Sequence, residues 1–162
     1  MSFSLAGVCD ALYAQPARGR GRGRALMLIG AQPKLGVTLA ARKVAESLGP
    51  GAVYAIDLDL RRNALAQNFS KDNALGPRID GALNGTLFHG AIDAKGAPLS
   101  PPPFGYHRIG RTRLYVGAVD GRGLPAGSRL VLSASGAYWD AVRGGGAMAV
   151  IDAPPLERSK AA

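Results

Sequence analysis

Three polar segments of this 162-residue chain each follow a run of apolar residues, and their side chains could bind phosphate and a divalent cation. The first is the glycine-containing stretch 30–38, the second carries Asp57 and Asp59, and the third begins at Asp152. Backbone N–H groups of a glycine-rich loop can surround phosphate oxygens, and carboxylates are ligands that Mg²⁺ prefers. Because the carboxyl ends of parallel strands meet at one edge of a sheet, we expect the three segments to lie together there.

The stretch 30–38 fits most of the phosphate-binding pattern G-x-x-x-x-G-K-(S/T), in which the Lys reaches the β- and γ-phosphates and the hydroxyl binds Mg²⁺. Gly30, Gly36 and Thr38 stand at the expected positions, but Val37 replaces the Lys and cannot neutralise phosphate charge. Lys34, inside the loop, could substitute for it. All five are our candidate nucleotide-binding residues. The pattern predicts the shape of a P-loop, but it leaves open whether nucleotide binds or whether this is an ordinary strand-to-helix turn.

The carboxylates suggest a metal site beside this loop. Asp57 and Asp59 are two residues apart at a strand end, where both can point to one side and hold Mg²⁺ or orient an attacking group. Asp152 ends another apolar run, as the metal-binding carboxylate of P-loop enzymes does. We predict Asp57 as the catalytic carboxylate and Thr38, Asp59 and Asp152 as metal ligands. In the alternative interpretation, Asp59 caps a helix that begins near residue 60, and Asp152 only precedes a proline turn.

Short apolar runs predict the elements that must position these residues. Residues 25–29, 52–56 and 148–152 are typical of strands buried on both faces of a parallel sheet. Residues 37–48 carry one apolar helical stripe and end before the sequence Gly-Pro-Gly. Further predictions are helices over 60–68 and 137–143, strands at 114–116 and 130–132, a short amphipathic piece over 79–83, and a long, partly disordered surface excursion over 70–105.

The composition excludes several classes of protein. No run approaches the roughly 18 apolar residues of a membrane helix. The single cysteine, Cys9, excludes an internal disulfide framework and a cysteine-rich zinc site. Four of the nine net positive charges belong to the segment 18–24, in which Arg and Gly alternate. We predict a flexible leader with a basic linker over residues 1–24, including one or two helical turns, and a domain over 25–162. Nucleic acid is not the expected partner, because no aromatic residue is interleaved for base stacking.

In this order, the three polar segments resemble the motifs of bacterial tyrosine kinases, the cytoplasmic ATPase domains associated with capsule and exopolysaccharide export. Residues 31–38, AQPKLGVT, resemble the loop A-x-P-G-E-G-K-(S/T) of that family. Residues 56–62, IDLDLRR, are similar to I-D-x-D-x-R-R, and residues 150–155, VIDAPP, to V-I-D-x-P-P. Residues 77–85 more weakly resemble the stretch G-L-x-x-x-L-x-G that follows the second motif of the family. The resemblance covers about residues 24–155 and depends mainly on the three motifs.

The resemblance implies an α/β fold with a P-loop NTPase-like parallel sheet flanked by helices, here without its C-terminal strands, and ATP or ADP with Mg²⁺ as cofactor. Gly36 and Thr38 would keep the phosphate and metal roles, Asp57 would be the base or metal-orienting carboxylate, and Asp59 and Asp152 would be metal-associated. The implied partner is a membrane polysaccharide co-polymerase (a chain-length regulator), a paralogous kinase or a further copy of the chain. The implied location is cytoplasmic or peripheral at the inner membrane.

The departures from the family pattern bear on activity. Val37 replaces the essential Lys, and the tyrosine-rich tail of the family is absent. We therefore expect weak or no kinase activity and a regulatory or scaffold role in exopolysaccharide or capsule synthesis or export. If the chain is an enzyme, it is a protein-tyrosine kinase or an ATPase. The alternative is a partitioning- or positioning-type ATPase that acts on nucleic acid or a membrane surface. The arginines of segment 18–24 favour it, whereas Gln32, where that group has a Lys, opposes it.

Overall fold

The computed structural model describes residues 4–16, 23–59, 62–72, 75–79, 89–100, 103–119, 124–132, 140 and 148–156. Three helices and eight strands lie within these ranges. In chain order they are α1 (Leu5–Ala14), β1 (Arg24–Ile29), α2 (Val37–Ser47), β2 (Val53–Asp57), α3 (Ala64–Ser70), β3 (Leu75–Ile79), β4 (His89–Ile92), β5 (Phe104–Ile109), β6 (Leu114–Val119), β7 (Arg129–Leu132) and β8 (Met148–Ala153).

A six-stranded mixed sheet with the order β1-β8-β2-β6-β5-β3 forms the centre of the fold, and β4 and β7 form a separate antiparallel pair. The strands β1, β8, β2 and β6 are mutually parallel, whereas β5 pairs antiparallel with both β6 and β3. The predicted α/β class is therefore confirmed, with a sheet that is mostly rather than wholly parallel. Because β8 lies between β1 and β2, the ends of all three strands are neighbours at one edge.

Two hydrophobic clusters explain why β2 and β8 are almost continuously apolar. Alternate residues of a strand point to opposite faces, so each of these strands contributes to both clusters. The larger cluster joins the helices to the sheet and includes Cys9, Leu12, Ala41, Val44, Leu65, Phe69, Val53, Ala55, Met148 and Val150. The smaller cluster contains Ile56, Phe104, Tyr106, Ala149 and Ile151. The strands β2 and β8 are thus held by packing on both faces. The prediction of burial on both faces was wrong for residues 25–29, because β1 is an edge strand and exposes Met27 and Ile29.

The prediction of a long surface excursion over 70–105 was wrong. This range contains β3, β4 and the start of β5. The sequence of β3, Leu-Gly-Pro-Arg-Ile, lacks alternation, and its pairing with β5 has an irregularity between Leu75 and Arg78. Proline is tolerated there because β3 is an edge strand, where one side of the backbone needs no partner strand. Its identity as a strand depends on β5, which follows 25 residues after it.

The helices differ from prediction at their ends. Helix α1 has ten residues, more than the one or two turns predicted, and buries Cys9 and Leu12 in the larger cluster. The helix predicted over 60–68 begins only at Ala64. The predicted helix 137–143 lies outside the described residues except for Asp140, as do residues 80–83 of the amphipathic piece and residues 17–22 of the basic linker. Within the described ranges, no helix combines the length and hydrophobicity that crossing a bilayer requires.

Candidate functional site

The loop after β1, the turn after β2 and the end of β8 enclose a cleft of about 370 Å³. Every site residue predicted from the sequence lines this cleft. They are Gly30, Lys34, Gly36, Val37, Thr38, Asp57, Asp59 and Asp152. The structure therefore brings the three polar segments to one edge of the sheet, as predicted, while the roles assigned to the residues remain predictions. Arg62, from the turn after β2, also lines the cleft.

Two left-handed residues shape the loop after β1. Gly36 has φ = +75° and stands at the position just before α2, so the chain reverses there at a residue without a Cβ atom. Lys34 is also left-handed, with φ = +65°, a conformation that costs a side-chain-bearing residue about 1–2 kcal/mol. The family pattern that the loop resembles has a Gly at this position. At position 34 the loop therefore has the backbone conformation typical of glycine, but the residue is a lysine with a cationic side chain.

Val37 occupies the space beside the first glycine of the loop. A Cβ atom placed on Gly30 would lie 3.1 Å from the Cγ2 atom of Val37 and 3.0 Å from the carbonyl oxygen of Gln32. The loop is also connected to the end of β8, because the N–H of Leu156 donates to the carbonyl oxygen of Gly30 at 3.1 Å. The side chain of Val37 and the carbonyl oxygen of Gln32 therefore leave no room for a side chain at position 30.

Thr38 and Asp152 connect the start of α2 to the end of β8. The Thr38 side chain lies near the Asp152 carboxylate at the cleft, and Asp152 is only 5% exposed. Burial raises the pKa of Asp152, the nearby Thr38 hydroxyl opposes this shift, and the charge of Asp59 adds to it. A hydroxyl and a carboxylate oxygen are thereby adjacent at the side of the cleft that carries the glycine loop.

Both carboxylate oxygens of Asp57 hold the turn between β2 and α3. Oδ1 accepts the N–H of Asp59 at 2.7 Å, and Oδ2 accepts the N–H of Leu65 at 2.9 Å. The side chain is buried, with 1% of the residue exposed, and this burial raises its pKa to about 6, although the two N–H groups oppose the shift. Asp57 therefore has a clear structural task, and the catalytic role predicted for it stays a prediction.

The turn after β2 places Asp59 and Arg62 at the cleft. The carbonyl oxygen of Asp59 accepts the N–H groups of Arg62 and Asn63 at 3.1 and 3.0 Å. Asn63 is left-handed, with φ = +52°, and its side chain bonds the backbone of Val119 twice, through Nδ2 to the carbonyl oxygen at 2.9 Å and through Oδ1 to the N–H at 3.3 Å. Our sequence reasoning missed Asn63, although Asn tolerates the left-handed region and often precedes helices.

The oxygen donors at the cleft suit Mg²⁺. Thr38, Asp59 and Asp152 offer a hydroxyl and carboxylates, whereas nitrogen and sulfur ligands would suit other metals. In the part of the chain that the structure describes, no three His, Cys, Asp or Glu side chains are grouped to hold a metal by themselves. Mg²⁺ commonly binds through one or two carboxylates plus the phosphates of a substrate. The residues present therefore fit a cation that has phosphate oxygens as further ligands.

The arrangement offers three chemical functions: loop N–H groups that can bind an anion, a hydroxyl–carboxylate pair that can bind a cation, and charged side chains on two walls. The site has Val37 and no cation at the position where the P-loop pattern has its Lys. Backbone N–H groups and helix starts bind phosphate without requiring a particular side chain. No protein-family model, no curated protein and no solved structure matches this chain.

Proposed function

We propose that the cleft binds a nucleoside di- or triphosphate together with Mg²⁺, and that the protein acts as a nucleotide-binding module with little or no phosphoryl transfer. The observation that carries this proposal is the position of Thr38 near Asp152 in the cleft. Thr38 lies in the first turn of α2, directly after the glycine loop, and Asp152 lies at the end of the parallel strand β8. A P-loop protein needs its two metal-binding oxygens at these two places.

Each part of the cleft has a task in this proposal. The N–H groups of the loop and of the first turn of α2 would bind the phosphates, helped by the positive end of the helix dipole. Thr38 and Asp152 would hold Mg²⁺, and Asp59, which is half-buried at the same cleft, would bind one of its water ligands. The bound cation would supply positive charge to the phosphate oxygens. Asp57 would keep the turn after β2 in place.

Slow or absent phosphoryl transfer follows from two residues. A valine at position 37 presents no charge to stabilise the charge that develops during the reaction. Both oxygens of Asp57 already accept backbone N–H groups, so this carboxylate is poorly placed to act as a base. Because the three motifs resemble those of capsule-associated tyrosine kinases, we further propose a regulatory or scaffold role in polysaccharide synthesis or export, beside a membrane co-polymerase or a paralogous kinase.

The Thr38→Val variant tests the proposed nucleotide site, because valine keeps the shape of threonine and removes the hydroxyl. We expect its affinity for Mg-ADP in calorimetric titration to fall by about tenfold or more, the equivalent of one charge-assisted hydrogen bond. Thr112→Val is the matched control, since its hydroxyl bonds the carbonyl oxygen of Ile109 in the turn between β5 and β6. Equal affinities for the wild type and the Thr38→Val variant would contradict the assignment.

A further inference from the structure

The charges at the cleft do not balance a bound polyphosphate. The side chains that line it include three carboxylates, Asp57, Asp59 and Asp152, and two cations, Lys34 and Arg62. The position that usually supplies a phosphate-binding Lys holds Val37. A single Mg²⁺ would be shared between the carboxylates and the phosphates. Among the described side chains that line the cleft, Lys34 and Arg62 are the cations that can neutralise the remaining phosphate charge.

The backbone of Arg62 is held in place by hydrogen bonds, and its side chain is exposed and can reach a ligand in the cleft. Its N–H is bonded to Asp59, and the next residue, Asn63, is anchored at both ends of its side-chain amide to Val119. The Arg62 side chain is 63% exposed, and its Nε atom lies 3.9 Å from Oδ2 of Asp59, which is the outer limit of an ion pair. Such an exposed contact holds the side chain weakly. A guanidinium carries five N–H donors, so phosphate oxygens can bond the others.

Lys34 is the cation on the other wall. It is exposed and lies in the loop between β1 and α2, in the left-handed region that a glycine would occupy without strain. Side chains held in such a conformation cluster at ligand sites, where the contact they make offsets the strain. Because β8 lies between β1 and β2, the loop with Lys34 and the turn with Arg62 flank the end of β8, where Asp152 lies.

We propose that Lys34 and Arg62 bind the phosphate groups of the nucleotide from these two walls and together replace the lysine that is absent at position 37. This inference rests on the proposed nucleotide-binding function. It assigns a phosphate-binding role to Arg62. It also explains why a lysine occupies the left-handed position 34, because binding phosphate would offset the backbone strain. Arginine can bond phosphate oxygens with two N–H groups at once, whereas the lysine acts as a point charge.

The test compares Mg-ADP affinity among the wild type, Lys34→Gly, Arg62→Gln and the double variant by calorimetric titration. We expect each single variant to bind about fivefold more weakly, and the double variant about 25-fold, with larger differences at low salt, where charges are least screened. Lys34→Arg, which keeps the charge, should retain most of the affinity. The matched control is Arg111→Gln, an exposed arginine of the turn between β5 and β6, which should leave the affinity unchanged.

Thermal unfolding separates a loss of charge from a loss of structure. Lys34→Gly removes backbone strain, so its unfolding midpoint should rise by about 2–4 °C while nucleotide affinity falls. If the wild type binds Mg-ADP and Lys34→Gly and Arg62→Gln bind it equally well, the inference is overturned and the proposed function stands. If Lys34→Arg loses as much affinity as Lys34→Gly, the inference is also overturned, because charge is then not what matters. If the wild type itself does not bind, the proposed function fails.

Discussion

Replacing Val37 with Lys should tighten the binding of Mg-ATP by about 10- to 100-fold, because one hydrogen bond to a charged group contributes about 1.5–3 kcal/mol. Two other features of the P-loop pattern are present: Gly36 before α2 is left-handed, and Thr38 lies near Asp152 in the cleft. A lysine at position 37 would have its flexible side chain beside the phosphates, where the P-loop pattern requires it. Calorimetric titration with Mg-ATP and Mg-ADP would measure the gain.

The Val37→Met variant is the matched control, since it lengthens the side chain without adding charge. It should bind nucleotide as weakly as the wild type. The gain for Val37→Lys should be greater for Mg-ATP than for Mg-ADP, because this lysine reaches the β- and γ-phosphates. An unchanged affinity of Val37→Lys for both nucleotides, in a variant that unfolds at the wild-type temperature, would show that the loop does not bind phosphate in the P-loop manner.

The second large effect concerns Asp57. Asp57→Ala should lower the free energy of unfolding by about 2–4 kcal/mol at pH 7, since it leaves two backbone N–H groups without their acceptor at a buried turn. Asp93→Ala is the matched control, because Oδ1 of Asp93 also accepts two N–H groups, those of Lys95 and Ala97, but in an exposed turn where water can replace it. Its loss should stay below about 1 kcal/mol. Urea unfolding followed by circular dichroism would measure both.

The same variant has a defined dependence on pH. The pKa of Asp57 rises from 3.8 to about 6 on folding, so the folded state holds this proton more tightly than the unfolded state. The proton-linked part of the stability that Asp57 contributes is therefore greatest below about pH 4 and is lost as the pH rises through about 6. The difference in unfolding free energy between the wild type and Asp57→Ala should be larger at pH 4 than at pH 7, by about 2 kcal/mol. A difference that grows from pH 4 to pH 7 would contradict the raised pKa of Asp57.

The sequence predicted best those features that depend on neighbouring residues. The apolar runs before Asp57 and Asp152 are strands buried on both faces, as each run by itself indicates, whereas the run before Gly30 is an edge strand with one exposed face. The parallel pairing of β1, β8 and β2 then brings their ends together, as the three polar segments suggested. The candidate site could be assembled from local patterns for this reason.

Features that depend on distant partners were not predictable in this way. The strand β3 has no alternation of its own and exists through its pairing with β5. The turn after β2 depends on Asn63 bonding Val119, which is 56 residues away. The hydrogen bonds that Asp57 accepts from two backbone N–H groups likewise depend on where α3 begins. The predicted start of this helix, near residue 60, differs from the observed start at Ala64. The sequence thus identified Asp57 as important without showing what its oxygens contact.

The most direct test of the nucleotide-binding claim is a calorimetric titration of the wild-type chain with ADP, in the presence of Mg²⁺ and again with excess EDTA. We predict one-to-one binding with a Kd at or below about 1 mM when Mg²⁺ is present, and a much weaker interaction without it, because Thr38 and Asp152 would hold the cation between protein and phosphate. The absence of binding at several times that concentration of Mg-ADP would contradict the account, as would binding of equal strength in EDTA.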